Sequence, residues 1–205
     1  MAGSARIDHA VVSGTFSLDG ETFDVDNNIW VVGDDEECVV IDAPHSVQAI
    51  LEVVAGRRVK AILLTHAHDD HCRVAPELRE QVVAPIFLHP DDKPLWELTH
   101  TDYLWDLDLP DGWEITVGGV VLRVLHTPGH APGGCCFYAP SLGAVFTGDT
   151  LFNGGPGATG RSYSDRPLLE ESIRAKLFAL PDETLVHTGH GEDTTIGAER
   201  ALLDG

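Results

Sequence analysis

The chain has 205 residues, 43% of them hydrophobic, and a formal net charge of −20. A chain of that length can bury a sizeable core within one domain, and its composition excludes a disordered polymer and a membrane-spanning protein. The negative charge repels phosphate backbones and anionic lipid, so neither nucleic acid nor membrane is an expected partner; solubility is the plain reading of the charge.

The opening "MAGSARIDHAVVSGTF" lacks the charged-then-apolar layout of a signal peptide, which predicts a cytoplasmic protein. Three segments then read as strands, "RIDHAVVSGTF", "ETFDVDNNIWVVG" and "ECVVIDA", with β-branched and aromatic residues between Gly, Asp and Asn punctuation. "SVQAILEVVAG" reads as a helix stopped at Gly56, and "VKAILLT" as a buried strand. "HCRVAPELREQV" predicts a second helix, kinked or started at Pro76, and "APIFLHP" a further strand. "VVLRVLHT", "GCCFYA", "GAVFTG" and "ETLVHTG" are short apolar strands, with a helix around "LLEESIRAKLFAL" between the last two. "TTIGAERALL" closes the chain as a helix. Strands alternating with helices predict an α/β fold with helices covering the sheet faces. No repeat, low-complexity tract or Pro/Ser-rich linker interrupts it, so one domain over 1–205 is expected.

Four of these strands end alike. "VKAILLT" runs into His66, His68, Asp70 and His71; "VVLRVLHTPG" runs into His130; "GAVFTG" runs into Asp149; "ETLVHTG" runs into His190. In α/β sheets, side chains just beyond strand ends converge on one crevice. Five imidazoles and two carboxylates without a thiolate form a ligand set for zinc, iron or manganese. One catalytic zinc takes three protein ligands plus water, so seven groups predict two divalent ions, with Asp149 as the bridge because a carboxylate has two oxygens. Zinc is the leading expectation.

"THAHDDH", "HTPGHAPGG", "FTGDTLF" and "HTGHGEDTTIGAE" resemble the successive motifs of the metallo-β-lactamase fold superfamily, most of all its glyoxalase II (hydroxyacylglutathione hydrolase) branch. The resemblance covers nearly the whole chain from about residue 25. It implies a four-layer αβ/βα sandwich with metals at one edge. It implies one metal on His66, His68 and His130 and another on Asp70, His71 and His190, bridged by Asp149, with Asp70 and Asp149 serving the chemistry as well. The implied activity is hydrolysis of a small-acyl thioester of a cellular thiol. A persulfide dioxygenase with one iron on two histidines and Asp149, a lactonase, and a non-catalytic binding protein on the same fold are the alternatives. The branch's glutathione-specific members carry a C-terminal helical domain with basic residues, for which the short stretch after His190 leaves no room, so the thiol stays open. By loose alignment Arg161 and Tyr163, on the Gly-rich "NGGPGATGRSYSDRP", fall where the branch places a basic and an aromatic substrate contact; the competing reading pairs Arg161 with Asp165.

Other residues carry plainer expectations. His126 is assigned a hydrogen-bonding role behind the ligands and His187 a structural one. Cys72 reads as a small buried hydrophobe. Cys135 and Cys136 alternate along a strand, so one should point inward. With Cys38 they are too few and too unevenly spaced for a disulfide framework, and reduced thiols are expected. "NGGPGATG" lacks the Lys-Ser/Thr of a phosphate loop and reads as a flexible segment near the site. Trp96, Tyr103, Trp105 and Trp113 read as packing or a subunit contact.

Overall fold

The computed structural model of the chain describes residues 4–204. It begins with β1 (Arg6–Leu18) and β2 (Glu21–Gly33), a long hairpin closed by Asp19 and Gly20, both at positive φ as a two-residue turn requires. β3 (Glu37–Ile41), α1 (Val47–Val54) and β4 (Arg58–Leu63) follow. Ser46 caps α1 by accepting from the Ala49 N–H, and the helix ends on Ala55 in the left-handed region, one residue before the expected Gly56. The predicted second helix is two pieces, α2 (Asp69–Cys72) and α3 (Ala75–Val82), the latter starting with Pro76 in its first turn. Then come β5 (Ile86–Leu88), α4 (Lys93–Thr99) and β6 (Leu107–Asp108).

The second half holds β7 (Glu114–Val117), β8 (Val120–His126), β9 (Cys135–Ala139), β10 (Ala144–Gly148), the small pair β11 (Leu151–Phe152) and β12 (Gly155–Pro156), α5 (Arg166–Ser172), β13 (Leu185–Thr188), β14 (Thr194–Thr195) and α6 (Ile196–Asp204). α5 runs on through a π-helical turn over Ile173–Leu177. α4 and β7 fall in stretches where the sequence shows no clear element.

Two six-stranded sheets result, ordered β1-β2-β3-β4-β5-β6 and β14-β13-β10-β9-β8-β7. Parallel pairs β3/β4, β4/β5 and β10/β13 bring several strand ends to the same edge. Strand alternation explains the layers. Val32, Val39, Ile41 and Leu63 face Leu122, Val124, Phe137 and Phe146 of the other sheet. The intervening Val31, Val40 and Ile62 face α1, α3 and α4 through Ile50, Leu78 and Trp96. On the far side Cys136, Val145 and Val186 pack against Leu169 and Ile173 of α5 and Ile196 of α6. This is the expected four-layer αβ/βα sandwich. Because both faces of each sheet are covered, Cys135 and Cys136 are both buried, one in each core, rather than one in and one out. Among the described residues no helix is long and apolar enough to cross a membrane.

Candidate metal centre

The four strand ends named from sequence meet at one edge of the sandwich. His66 and His68 lie in the turn after β4, Asp70 and His71 in α2, His130 in the loop after β8, Asp149 just past β10 and His190 just past β13. Glycine makes room there: a Cβ on Gly189 would stand 2.4 Å from Asp149 Oδ1 and 2.8 Å from His71 Cε1.

The side chains sort into two trios. His68 Nδ1 lies 3.0 Å from both His66 Nε2 and His130 Nε2. His190 Nε2 lies 3.2 Å from both His71 Nε2 and Asp70 Oδ2, with His71 and Asp70 3.5 Å apart. Asp149 touches both trios: Oδ1 is 3.3 Å from His71 Nε2, and Oδ2 is 3.5 Å from His130 Nε2 and from His190 Nε2. Two ligands ~2.1 Å from one ion at tetrahedral angles stand about 3.4 Å apart, so the spacings fit a cation at each trio.

The outer ring nitrogens settle which atoms face inward. His71 Nδ1 donates to Asp42 Oδ2 (2.8 Å), His130 Nδ1 to the Ala158 carbonyl (2.8 Å) and His190 Nδ1 to the Asp26 carbonyl (2.7 Å). Thr65 Oγ1 donates to Asp42, so its lone pair accepts from His66 Nδ1 at 3.0 Å. Each of these rings therefore turns Nε2 to the centre, the arrangement by which outer partners orient metal-binding histidines. Asp149 Oδ1, buried, has no hydrogen-bond donor. Wherever such lone pairs meet without a proton between them they repel, and a cation among them removes the repulsion. The residues fit two divalent ions.

Charge agrees with geometry. Burial, reinforced by His71 and His68, holds His66 well below its ordinary value, and burial with His130 nearby takes His68 down to about 3. These two rings are neutral, as metal ligation requires. In the other, burial opposes charge on every group but loses. Asp149 and Asp70 raise His71 well above its usual range and, with burial against them, bring His190 up to about 10. Asp70 falls to about 2, and Asp149 is held well below the carboxylate range by His190 and His71. Two buried carboxylates demand positive charge here, which protons or divalent cations supply.

The centre opens into a cavity of about 420 Å³. Asp70, Asp149, His68, His130 and His190 form its floor, and Phe16, Val25, Phe152 and the 158–164 loop its walls. Arg161 belongs to that wall. Its guanidinium pairs with Glu21 of the hairpin at 2.9 Å and lies 4.6 Å from the Phe23 ring centre. Asp165 is not its partner; that side chain caps α5 by accepting from the Leu168 N–H. Tyr163, half-exposed at φ 69°, stands outside the cavity wall, which departs from the substrate contact expected of it.

His126 stays outside the trios: its ring stacks on His89 at 3.8 Å and its Nε2 donates to the Pro132 carbonyl. His187 pairs with Asp193 and packs beside Trp30 and Phe146. Cys72 is fully buried. Trp96 and Trp105 pack together with Trp96 Nε1 on the Tyr103 carbonyl, while Trp113 rests on Phe87 in the other core.

Sequence reading missed the supports. Asp42 ends β3 as the ligands end their strands, and that position was its signal. Asn27, in the middle of β2, donates to Asp70 Oδ2 at 3.1 Å; two asparagines inside a strand, where they are disfavoured, marked the place. Asp92, fully buried, accepts from the backbone N–H of Ala67 and of Gly133, tying the first ligand loop to the second.

Comparison with known proteins matches residues 22–190 to the model of the Metallo-beta-lactamase superfamily. The chain is 35% identical over 191 residues to the hydroxyacylglutathione hydrolase GloC of Haemophilus influenzae, covering 84% of this chain and 89% of that one. It superposes on the di-iron-bound form of TTHA1623 with a TM-score of 0.77 and 34% identity, covering 92% of this chain and 96% of that one. Against ETHE1 from Myxococcus xanthus the TM-score is 0.73 with 28% identity, covering 91% and 80% of the two chains.

Proposed function

Because the chain belongs to the metallo-β-lactamase superfamily, we propose that it is a dimetal hydrolase that cleaves a small-acyl thioester of a cellular thiol. The observation that carries the reading is the pair of ligand trios joined through Asp149 on the floor of one cavity. The likeness to the hydroxyacylglutathione hydrolase supports the thioester. Zinc is the first expectation for the metal, and the di-iron relative makes iron the main competitor.

Two divalent ions, when bound, supply Lewis acidity that activates water near neutral pH and polarises a carbonyl. The chain's residues do the rest. Asp149 reaches both trios and so fixes their separation. Asp70 and Asp149, ionised across the neutral range, supply the charge that keeps cations in place. The hairpin and the 158–164 loop bound the cavity, so a substrate enters with its acyl end toward the floor and its thiol portion against Arg161 and Ser162. A thiolate, whose conjugate acid has a pKa of about 8.5, departs without a strong general acid. This suits a floor whose two carboxylates are both committed to the trios.

A persulfide dioxygenase on two histidines and Asp149 leaves Asp70, His71 and His190 without a metal role, and the close packing of that trio favours the hydrolase. The test joins elemental analysis of the purified protein to a panel of acyl thioesters. Close to two transition-metal ions per chain and turnover of at least one thioester are expected. Asp149→Ala should lose metal and drop kcat by orders of magnitude, while His126→Ala keeps its metal. A single iron with oxygen consumed on persulfide addition would overturn the proposal.

A further inference from the structure

Beneath Asp70 lies a relay of two side chains, Asn27 and His45. The metal-facing oxygen of Asp70, Oδ2, accepts a hydrogen bond from Asn27 Nδ2 at 3.1 Å. Asn27 Oδ1 in turn lies 2.7 Å from Nε2 of the half-buried His45. The other ring nitrogen, His45 Nδ1, is buried without a partner. That orphan decides the orientation of the whole chain of contacts. A buried N–H without an acceptor is rarer in proteins than an unused lone pair. The proton therefore sits on Nε2, His45 donates to Asn27 Oδ1, and the amide must present its NH₂, not its oxygen, to Asp70.

The same NH₂ lies 3.4 Å from His71 Nε2 and 3.5 Å from His190 Nε2, so it covers the face of the trio formed by Asp70, His71 and His190. An oxygen in that place would offer a further ligand; an NH₂ cannot. The ring is seated on Gly14 of the hairpin, where a Cβ would come 2.2 Å from His45 Cγ. Gly14 thus exists as glycine to admit His45, and His45 exists to orient Asn27.

We propose that Asn27, oriented by His45, is a positioning residue for the second metal: it fixes which Asp70 oxygen faces the ion and closes the far side of that trio to extra ligands. Its side-chain hydrogen-bond contacts reach Asp70, His71, His190 and His45, all on the side of one trio, so its effect falls on one of the two ions. The inference rests on the dimetal reading of the site but not on the thioester.

The test uses the full chain, stripped of metal by a chelator and titrated calorimetrically with Zn²⁺. The wild type should take two equivalents. Asn27→Ala should weaken one equivalent by roughly 10–100-fold, the range for losing such an outer partner, and keep the other within about twofold. His45→Leu should move the same equivalent in the same direction, and His45→Gln, which retains an N–H donor, should restore it. This second pair reads the relay without touching a ligand's neighbour, should Asn27→Ala fold poorly. Wild-type affinity for both equivalents in Asn27→Ala and His45→Leu would overturn the proposal, as would equal weakening of both. A wild type that binds one ion only would overturn the dimetal reading and this inference with it.

Discussion

Asp42 holds His71 from behind: its Oδ2 lies 2.8 Å from His71 Nδ1, and both side chains are buried. The same carboxylate accepts from the Thr65 N–H at 2.7 Å and from Thr65 Oγ1 at 2.8 Å, so one residue at the end of β3 orients ligands in both trios. Its backbone sits at φ 63°, a left-handed conformation that Asp and Asn tolerate better than most residues. Asp42→Ala should lower metal affinity by roughly 10–100-fold. It should also destabilise the metal-free chain by about 1–3 kcal/mol, because the Thr65 N–H loses its acceptor in a buried place. Asp42→Asn, which keeps one acceptor and the backbone preference, should lose less of both. Metal titration and denaturant unfolding of the two variants check this; equal losses would show that the carboxylate's orientation of His71 and Thr65 is not what matters.

Asp92 gives the fold a pH dependence with a defined sign. Burial pushes its carboxyl up to about 7, against the Gly133 and Ala67 N–H groups that favour ionisation. In the unfolded chain the same group titrates near 3.9. A raised native pKa means that its stabilising contribution is complete below about pH 4 and is lost as pH rises toward 7. The stability advantage of the wild type over Asp92→Ala should therefore shrink between pH 4.5 and 7 and level off above, on the order of the linkage slope for one proton. Denaturant unfolding at a series of pH values reads the difference directly. A gap that is flat or widens with pH would show that Asp92 stays ionised throughout, held by its two backbone donors.

The ligands were legible in the sequence because each ends an apolar strand, where period-two alternation stops and a polar group faces the crevice. Covered sheet faces were legible for a related reason: runs such as "AILL" carry no polar face, so both sides had to be covered, while the count of four layers came from the resemblance of the motifs. Asp42, Asn27 and His45 were not. Their roles come from β2 and β3 lying beside α2, a juxtaposition made by strand pairing over long sequence separations rather than by local spacing. α4 was hidden as well, since Trp96 and its aromatic neighbours read as a packing cluster with no helical stripe. The partner of Arg161 shows the same limit. Asp165 is near in sequence but is consumed by the α5 cap, whereas Glu21 is brought across by the hairpin.

That ion pair sets the last prediction. Arg161 faces the cavity while bound to Glu21 at the hairpin tip, and Ser162 N–H donates to Asp19 of the same turn. The hairpin therefore holds the loop in place and occupies its guanidinium. An anionic thiol portion entering the cavity would compete with Glu21 for Arg161, whose planar fork suits a carboxylate or phosphate. Arg161→Ala should raise KM several-fold for the preferred thioester, with kcat and metal content nearly unchanged, since the residue touches no ligand. Glu21→Gln should do the opposite and lower KM, because it releases Arg161 without removing it. Tyr163→Phe, outside the cavity wall, should change neither. Steady-state kinetics over esters of glutathione, coenzyme A and an uncharged thiol separate the cases. A KM shift confined to the anionic thiols identifies Arg161 as the group that reads the carrier; no shift for any thiol would leave the pair with Glu21 as a structural clasp alone.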